Sequence, residues 1–409
     1  MNEPTSPLAR VAATAPRRGG PPTDLLGYAA DLLSTTERAK LQALRDLLEE
    51  RARPHLAEWW EAGESPAHLR TELAALRLED DPALLDADGA PNPYYIGFKH
   101  FEFQRFDASI GTLYGGQVGM FRTVVREGGS PEQVARLDPL IPSFELTGCF
   151  ALTEPEHGSD VAAGMQTIAT REGDSWRITG HKRWIGNAAL SDLILVVAKD
   201  VADGAAKAFL VPRHAPGVTV TDIRGKIALR MVRNGDITLD DVVVPESERL
   251  QRIDSFRDVS AILAQLRYVI GWNAAGLQIG AYEAALRYAL GREQFGRPIA
   301  GFQLIQEKLT RMLGNATATL SFAVRLTDLK VRGELTETVA ALAKTWAADR
   351  VRETVALGRE IAGAEGIRVD NDLARYFTDA EAVYTYEGTH EMNSLIVGRA
   401  ITGLSAFTR

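Results

Sequence analysis

The stretch VSAILAQLRYVIGWNAAGLQIGAYEAALRYAL, Val259 to Leu290, decides the architecture of this 409-residue chain. Its alanines and leucines recur at helical spacing. At 1.5 Å per residue it is long enough for a single helix of roughly 48 Å. A second such stretch, TETVAALAKTWAADRVRETVALGREIAG, begins at Thr336. Helices of this length predict a C-terminal four-helix bundle with apolar surface to spare for subunit contacts.

Upstream the texture changes. SWRITGHKRW, LILVVAKD, KAFLVPR, VTVTDI and ITLDDVVVP are short runs rich in Val, Ile and Thr, separated by turn residues such as Asp203-Gly204 and Asn234-Gly235. They predict a small antiparallel sheet or barrel. Further upstream, TERAKLQALRDLLEERARPHLAEWW reads as helix, with Thr36 a candidate N-cap and Leu41, Leu44, Leu47 and Leu48 on one face. The segment from Leu78 to Tyr95 is loop-rich. The fold class expected is mainly α with a central β domain. A disordered tail covers 1–25, an N-terminal helical domain 26–143, a middle β-sheet or barrel domain 144–252, and a helical bundle 253–409. In the tail, three arginines suggest a transit peptide, but Pro7, Pro16, Pro21 and Pro22 spoil an amphipathic helix.

Composition narrows the function classes. A net charge of −8, from 54 acidic and 46 basic residues, argues against a general nucleic-acid binder. No apolar run approaches the roughly 18 residues a membrane span needs. Cys149 is the only cysteine, which excludes an intrachain disulfide and cysteine metal clusters and fits a reducing cytoplasm. No metal site is expected.

Chemistry concentrates near the C-terminus, in YTYEGTHEMNSLIVGRAITG, Tyr384 to Gly403. Glu387 follows the apolar Val383, Tyr384 and Tyr386. Desolvation there would raise its pKa above about 4.3 and make it a stronger base. Taken alone it could equally be a surface carboxylate before a glycine turn. Four further segments precede it in order: TGCFALTEPEHGSD (Thr147 to Asp160), GHKRWIGN (Gly180 to Asn187), GREQFGRPIAGFQLIQ (Gly291 to Gln306) and IAGAEGI (Ile361 to Ile367). In the first, Gly158 and Ser159 supply donors without bulk, as a phosphate requires, although a polar turn looks the same. In the third, Arg292 offers a planar donor fork suited to pyrophosphate. Arg267, inside an Ala/Leu-rich stretch, needs a partner, since burying it unpaired is costly.

Together these segments resemble the acyl-CoA dehydrogenase family, from about Leu32 to the end. The C-terminal third is most similar to its glutaryl-CoA dehydrogenase branch. The resemblance implies helices, then sheet, then helices, a homotetramer or homodimer, and FAD as cofactor. It implies α,β-desaturation of an acyl thioester, with Glu387 taking the α-proton and flavin the β-hydride. Tyr386 and Gly388 would line the acyl pocket, and Arg267 would lie near the thioester. Leu152, Thr153, Gly158, Ser159, Trp184, Ile185, Gly186, Thr389 and Glu391 would contact the flavin. Arg292, Phe295 and Gln303 would reach the flavin of a neighbouring subunit, and Glu360, Gly363 and Ala364 its adenosine end.

The chain departs from the family pattern at several places, among them Glu365, where an uncharged residue is usual, and Lys226 to Gly235, which lacks the usual Ser and Thr. Gly186 stands where a threonine is usual, and Ala364 where a glycine is. On the substrate side, Arg105 matches the branch, but Gly111 occupies the position of its carboxylate-binding arginine, which argues against glutaryl-CoA. Either CoA or an acyl carrier protein could carry the acyl group, and an electron-transfer flavoprotein would reoxidise the enzyme. An oxidase or flavin monooxygenase, or an inactive assembly subunit, are the alternatives.

Overall fold

The computed structural model describes residues 24–406, so nearly all of the tail expected at 1–25 lies outside the described residues. The first long helix is α1 (Thr35–Leu47). Its cap is Ser34, not Thr36. The Ser34 hydroxyl accepts from the Glu37 N–H (3.2 Å) while the Glu37 carboxylate accepts from the Ser34 N–H (2.7 Å). This capping box needs Glu or Gln three residues on; Thr36 would find Ala39 there. Two more helices, α2 (Pro93–Phe106) and α3 (Ala108–Tyr114), are joined by Asp107, whose carboxylate caps α3 through the N–H groups of Ser109 and Ile110.

The middle region is a seven-stranded sheet: β1 (Gly148–Ala151), β2 (Ile168–Glu172), β3 (Ser175–Ile185), β4 (Leu193–Asp200), β5 (Ala206–Pro212), β6 (Val218–Asp222) and β7 (Gly235–Pro245). It is mixed rather than wholly antiparallel, because β4 runs parallel to both β1 and β2. Asp203-Gly204 turns β4 into β5 as expected, whereas Asn234-Gly235 only opens β7 after a long connection from β6. β4 reads as a continuous apolar run because both its faces are covered. Ile194 and Val196 pack with Trp176, Phe209 and Ile237, and Leu195 and Val197 with Phe121, Val124 and Ile141. Cys149 of β1 is buried in this core, and burial pushes its thiol up to about 12.

The stretch expected as one helix is two, α4 (Phe256–Leu266) and α5 (Val269–Gly291). At the break the Ile270 N–H bonds back to the Arg267 carbonyl, three residues earlier. This turns Arg267 outward to Glu337 (2.7 Å) and Tyr268 inward beneath the Lys330 ammonium. α5 is apolar on nearly every side and forms the axis of the C-terminal helices α6 (Gln303–Val331), α7 (Glu337–Ala362), α8 (Asp372–Thr385) and α9 (His390–Thr402). It also lies hard against α2. A Cβ at Gly276 or Gly280 would come within 2.2 Å of the carbonyls of Phe101 and Arg105, so only glycine permits this approach.

Among the described residues no helix is long and apolar enough to cross a membrane.

Candidate active site

Glu387 sits in the turn between α8 and α9. Its backbone is left-handed (φ 57°), as is that of Gly388 (φ 84°). For glutamate this conformation is strained, and such strain persists only where surroundings over-determine it. Here the Lys344 ammonium donates to the carbonyls of Tyr384 (2.6 Å) and Gly388 (2.9 Å), and the Asn393 amide donates to those of Gly388 (2.9 Å) and Thr389 (3.1 Å). Thr389 caps α9, its hydroxyl accepting from the Met392 N–H (3.2 Å). Desolvation raises the pKa of Glu387; the positive charges of Arg267 and Lys344 work against it without cancelling it. Tyr386 is desolvated too, with its hydroxyl beside Asn273.

A second cluster is built on β3. One extra residue between Lys182 and Ile185 makes a bulge against β7, and Trp184 takes a left-handed backbone (φ 63°) with its indole 52% exposed. Bulges re-aim side chains beside functional sites. The loop of Leu152, Thr153, Gly158 and Ser159 is fastened to this strand. The Arg183 N–H donates to the Thr153 carbonyl (2.8 Å), and the Lys182 ammonium to the Leu152 carbonyl (2.9 Å) and the Glu154 carboxylate (2.8 Å). Burial alone would push Glu154 up; Lys182 and the N–H groups of Thr167 and Gln166 hold it below the usual carboxylate range. Sequence reading missed this Lys182–Glu154 pair. The signal was there: positions 176, 178 and 182 of β3 share a face, and two of them are core residues.

Hydrogen bonds tie the two clusters together. The Asn234 amide donates to the Trp184 carbonyl (3.2 Å), Lys226 donates to Asn234 and to the Leu229 carbonyl (2.8 Å), and the Leu229 N–H donates to Asp379 of α8 (2.7 Å). Six residues later α8 ends at Thr385, immediately before Tyr386 and Glu387.

Asp379 is buried beside Asp107; desolvation and this second carboxylate push it up to about 8. The folded state therefore keeps a proton that the unfolded chain releases above about pH 4. This contribution to stability is fully present below pH 4 and is lost as pH rises towards 8. Asp379→Asn keeps the acceptor for Leu229. It is expected to remove on the order of 4 kcal/mol of stability loss between pH 5 and 8. Urea midpoints at the two pH values check this; an equal decline in the variant counts against it.

The other expected site residues lie elsewhere. Arg105 is not free for a ligand: its guanidinium bonds Glu283 (2.9 Å) and Glu102 (3.1 Å) in a buried ion network. Gly111 is buried, and a Cβ there would meet the Gln104 amide at 2.6 Å. Arg292, Phe295 and Gln303 stand on or beside a protruding hairpin, where Phe295 is 93% exposed and the Arg292 guanidinium has no ion-pair partner among the described residues. Gly363 (φ 59°) and Ala364 form an exposed turn, Glu360 is ion-paired with Lys308, and Glu391 is exposed on α9. At Gly186 a Cβ would fit in ordinary contact, 3.9 Å from Val232 and 4.0 Å from the Asn234 amide. Cavities of about 660 Å³ around Arg53, Arg287 and Asp372 and of about 170 Å³ around Arg224 and Arg233 lie among the described residues. Neither includes Glu387 in its lining.

Residues 149–242 match the family model for the acyl-CoA dehydrogenase middle domain, and residues 256–402 that for the acyl-CoA dehydrogenase C-terminal domain. An acyl-CoA dehydrogenase of Bacillus subtilis is 31% identical over 77% of this chain and 84% of its own. A crystal structure of glutaryl-CoA dehydrogenase from Mycobacterium smegmatis superposes with a TM-score of 0.87 at 37% identity, over 96% of this chain and 100% of the other. A glutaryl-CoA dehydrogenase from the same organism, in complex with FADH2, gives 0.87 at 29% identity, over 94% and 99%.

Proposed function

The chain belongs to the acyl-CoA dehydrogenase family, and on that premise we propose that it is an FAD enzyme that desaturates an acyl thioester at α,β with Glu387 as base. The observation that carries the reading is the Glu387 carboxylate itself, desolvated in a left-handed turn and within the electrostatic influence of Arg267 and Lys344. A raised pKa suits proton abstraction from carbon, and the two cations favour the charged form that acts as base.

The residues present fit a flavin. Trp184 is 52% exposed and so available for a ring to pack on, with the Arg183 guanidinium 5.7 Å from its ring centroid. Thr153, Gly158 and Ser159 offer donors on an exposed loop, Thr389 sits at a helix N-terminus that favours anions, and Arg292 carries an unpaired guanidinium. Bound FAD would supply the hydride acceptor for the β-carbon. Glu387 takes the α-proton, Tyr386 and Gly388 border the acyl group, and the protein's part is to hold base and thioester in register.

An uncharged acyl end fits better than glutaryl. Gly111 brings no cation, and the Gln104 amide fills the space beside it. The exposed Phe295, Leu304, Ile401 and Leu404 support self-assembly. Oxygen-dependent chemistry on the same fold is a second reading, favoured by Gly186, which offers a flavin no side-chain hydroxyl.

Anaerobic titration of the purified flavoprotein with a panel of acyl-CoAs tests the proposal. Bleaching of the visible flavin band by an uncharged chain class is the expected result. Bound flavin that no acyl-CoA bleaches would turn the assignment towards carrier-protein substrates or oxygen chemistry.

A further inference from the structure

Lys344 lies on the apolar stripe of α7 with Ala340, Ala347 and Val351, and only 4% of it is exposed. Burying an ammonium is costly unless strong acceptors meet it. Its acceptors are the Tyr384 and Gly388 carbonyls, on either side of Glu387, and among the described residues no carboxylate is bonded to it. The Tyr384 ring lies nearby, 5.9 Å from the ammonium. Tyr384 is itself fixed by stacking on His390 (5.0 Å between centroids, 9° between planes) and by the Arg352 guanidinium above it (4.4 Å).

The geometry points to Lys344 as a positioning residue for the base: its buried ammonium staples both ends of the left-handed turn and so fixes where the Glu387 carboxylate lies. This rests on the reading of Glu387 as base. The staple explains how a glutamate keeps a backbone conformation that glycine would hold without strain. One ammonium spans carbonyls four residues apart, and Asn393 takes up the remaining valence of the Gly388 carbonyl. The charges facing Lys344 are Glu387 in the turn, Glu391 on α9 and Asp349 on α7 itself. Burial draws Lys344 down to about 8 despite them. Arg267 is the second cation acting on Glu387, but it is committed to Glu337 at the start of α7.

Lys344→Met keeps the length of the side chain and removes the charge and the donors. Three readings on the full-length flavoprotein test the role, with butyryl-CoA, or whichever acyl-CoA bleaches the wild-type flavin, as probe. The rate of anaerobic flavin reduction is expected to fall about tenfold. The pH at which that rate reaches half its plateau is expected to move upward, because Glu387 loses a neighbouring cation. Amide exchange of segment 384–393, which needs no turnover, is expected to lose protection, and Lys344→Arg is expected to restore part of it. If Lys344→Met does not fold, Asn393→Ala, which removes only the second clamp, is expected to give the same change in exchange to a smaller degree.

An unchanged pH midpoint together with unchanged exchange would overturn the proposal. Glu387→Gln run in parallel separates the two failures. If that variant still reduces flavin, the base assignment is wrong. If it is dead while Lys344→Met behaves as wild type, only the positioning role is wrong.

Discussion

Glu387→Gln is expected to retain flavin and fold and to reduce its flavin with acyl-CoA about 10³-fold more slowly than the parent, within the range general-base catalysis contributes. The substitution is nearly isosteric and leaves the Lys344 and Asn393 bonds in place, because both go to backbone carbonyls. What it removes is the lone pair that takes the α-proton. It also removes the desolvation cost of a carboxylate, so the variant should be no less stable than the parent. Stopped-flow absorbance of the flavin band under anaerobic conditions gives the rate, and a thermal melt gives the stability. Reduction at the parental rate would take Glu387 out of the reaction.

Lys182→Met is expected to cost about 3–5 kcal/mol of stability and to empty the flavin site. Removing one partner of a buried pair leaves the other charge uncompensated, which costs more than the pair ever contributes. Glu154 would be that charge, enclosed with its partner in the interior. The Lys182 ammonium also holds the Leu152 carbonyl, so the loop from Thr153 to Ser159 would lose its attachment to β3. Urea unfolding and the flavin-to-protein absorbance ratio measure the two effects. In the double variant Glu154→Gln with Lys182→Met, no buried charge is stranded, and part of the stability should return. A double variant as unstable as the single one would show that the loss lies in packing and not in charge.

The order of helices, sheet and helices was legible because each has its own period: three to four residues in α1 and the long C-terminal helices, two in β3 and β7. Breaks and pairings were less legible because they depend on distant residues. Nothing local to Arg267 announces that Glu337, some seventy residues on, draws it out of the helix. Arg105 looked available for a ligand because its partner Glu283 is 178 residues away. Parallel pairing of β1 and β4 is likewise a property of the assembled sheet. Of the candidate site, the segments around Glu387 and Trp184 stood out as motifs, whereas the bulge at Trp184 and the lysines that hold both segments did not. Lys182 and Lys344 each interrupt an otherwise apolar face, in β3 and α7, and a lysine in such a place signals a buried partner.

The sealing of Cys149 makes the chain a convenient scaffold for site-selective labelling. Its only thiol is buried in the sheet and held far from its thiolate form, so maleimides and mild oxidants find nothing to attack in the native state. A single cysteine introduced at an exposed position, such as the tip of the hairpin at Gly296, would then be the sole conjugation point. Dyes or spin labels placed there would report on encounters between subunits without any native cysteine having to be removed first.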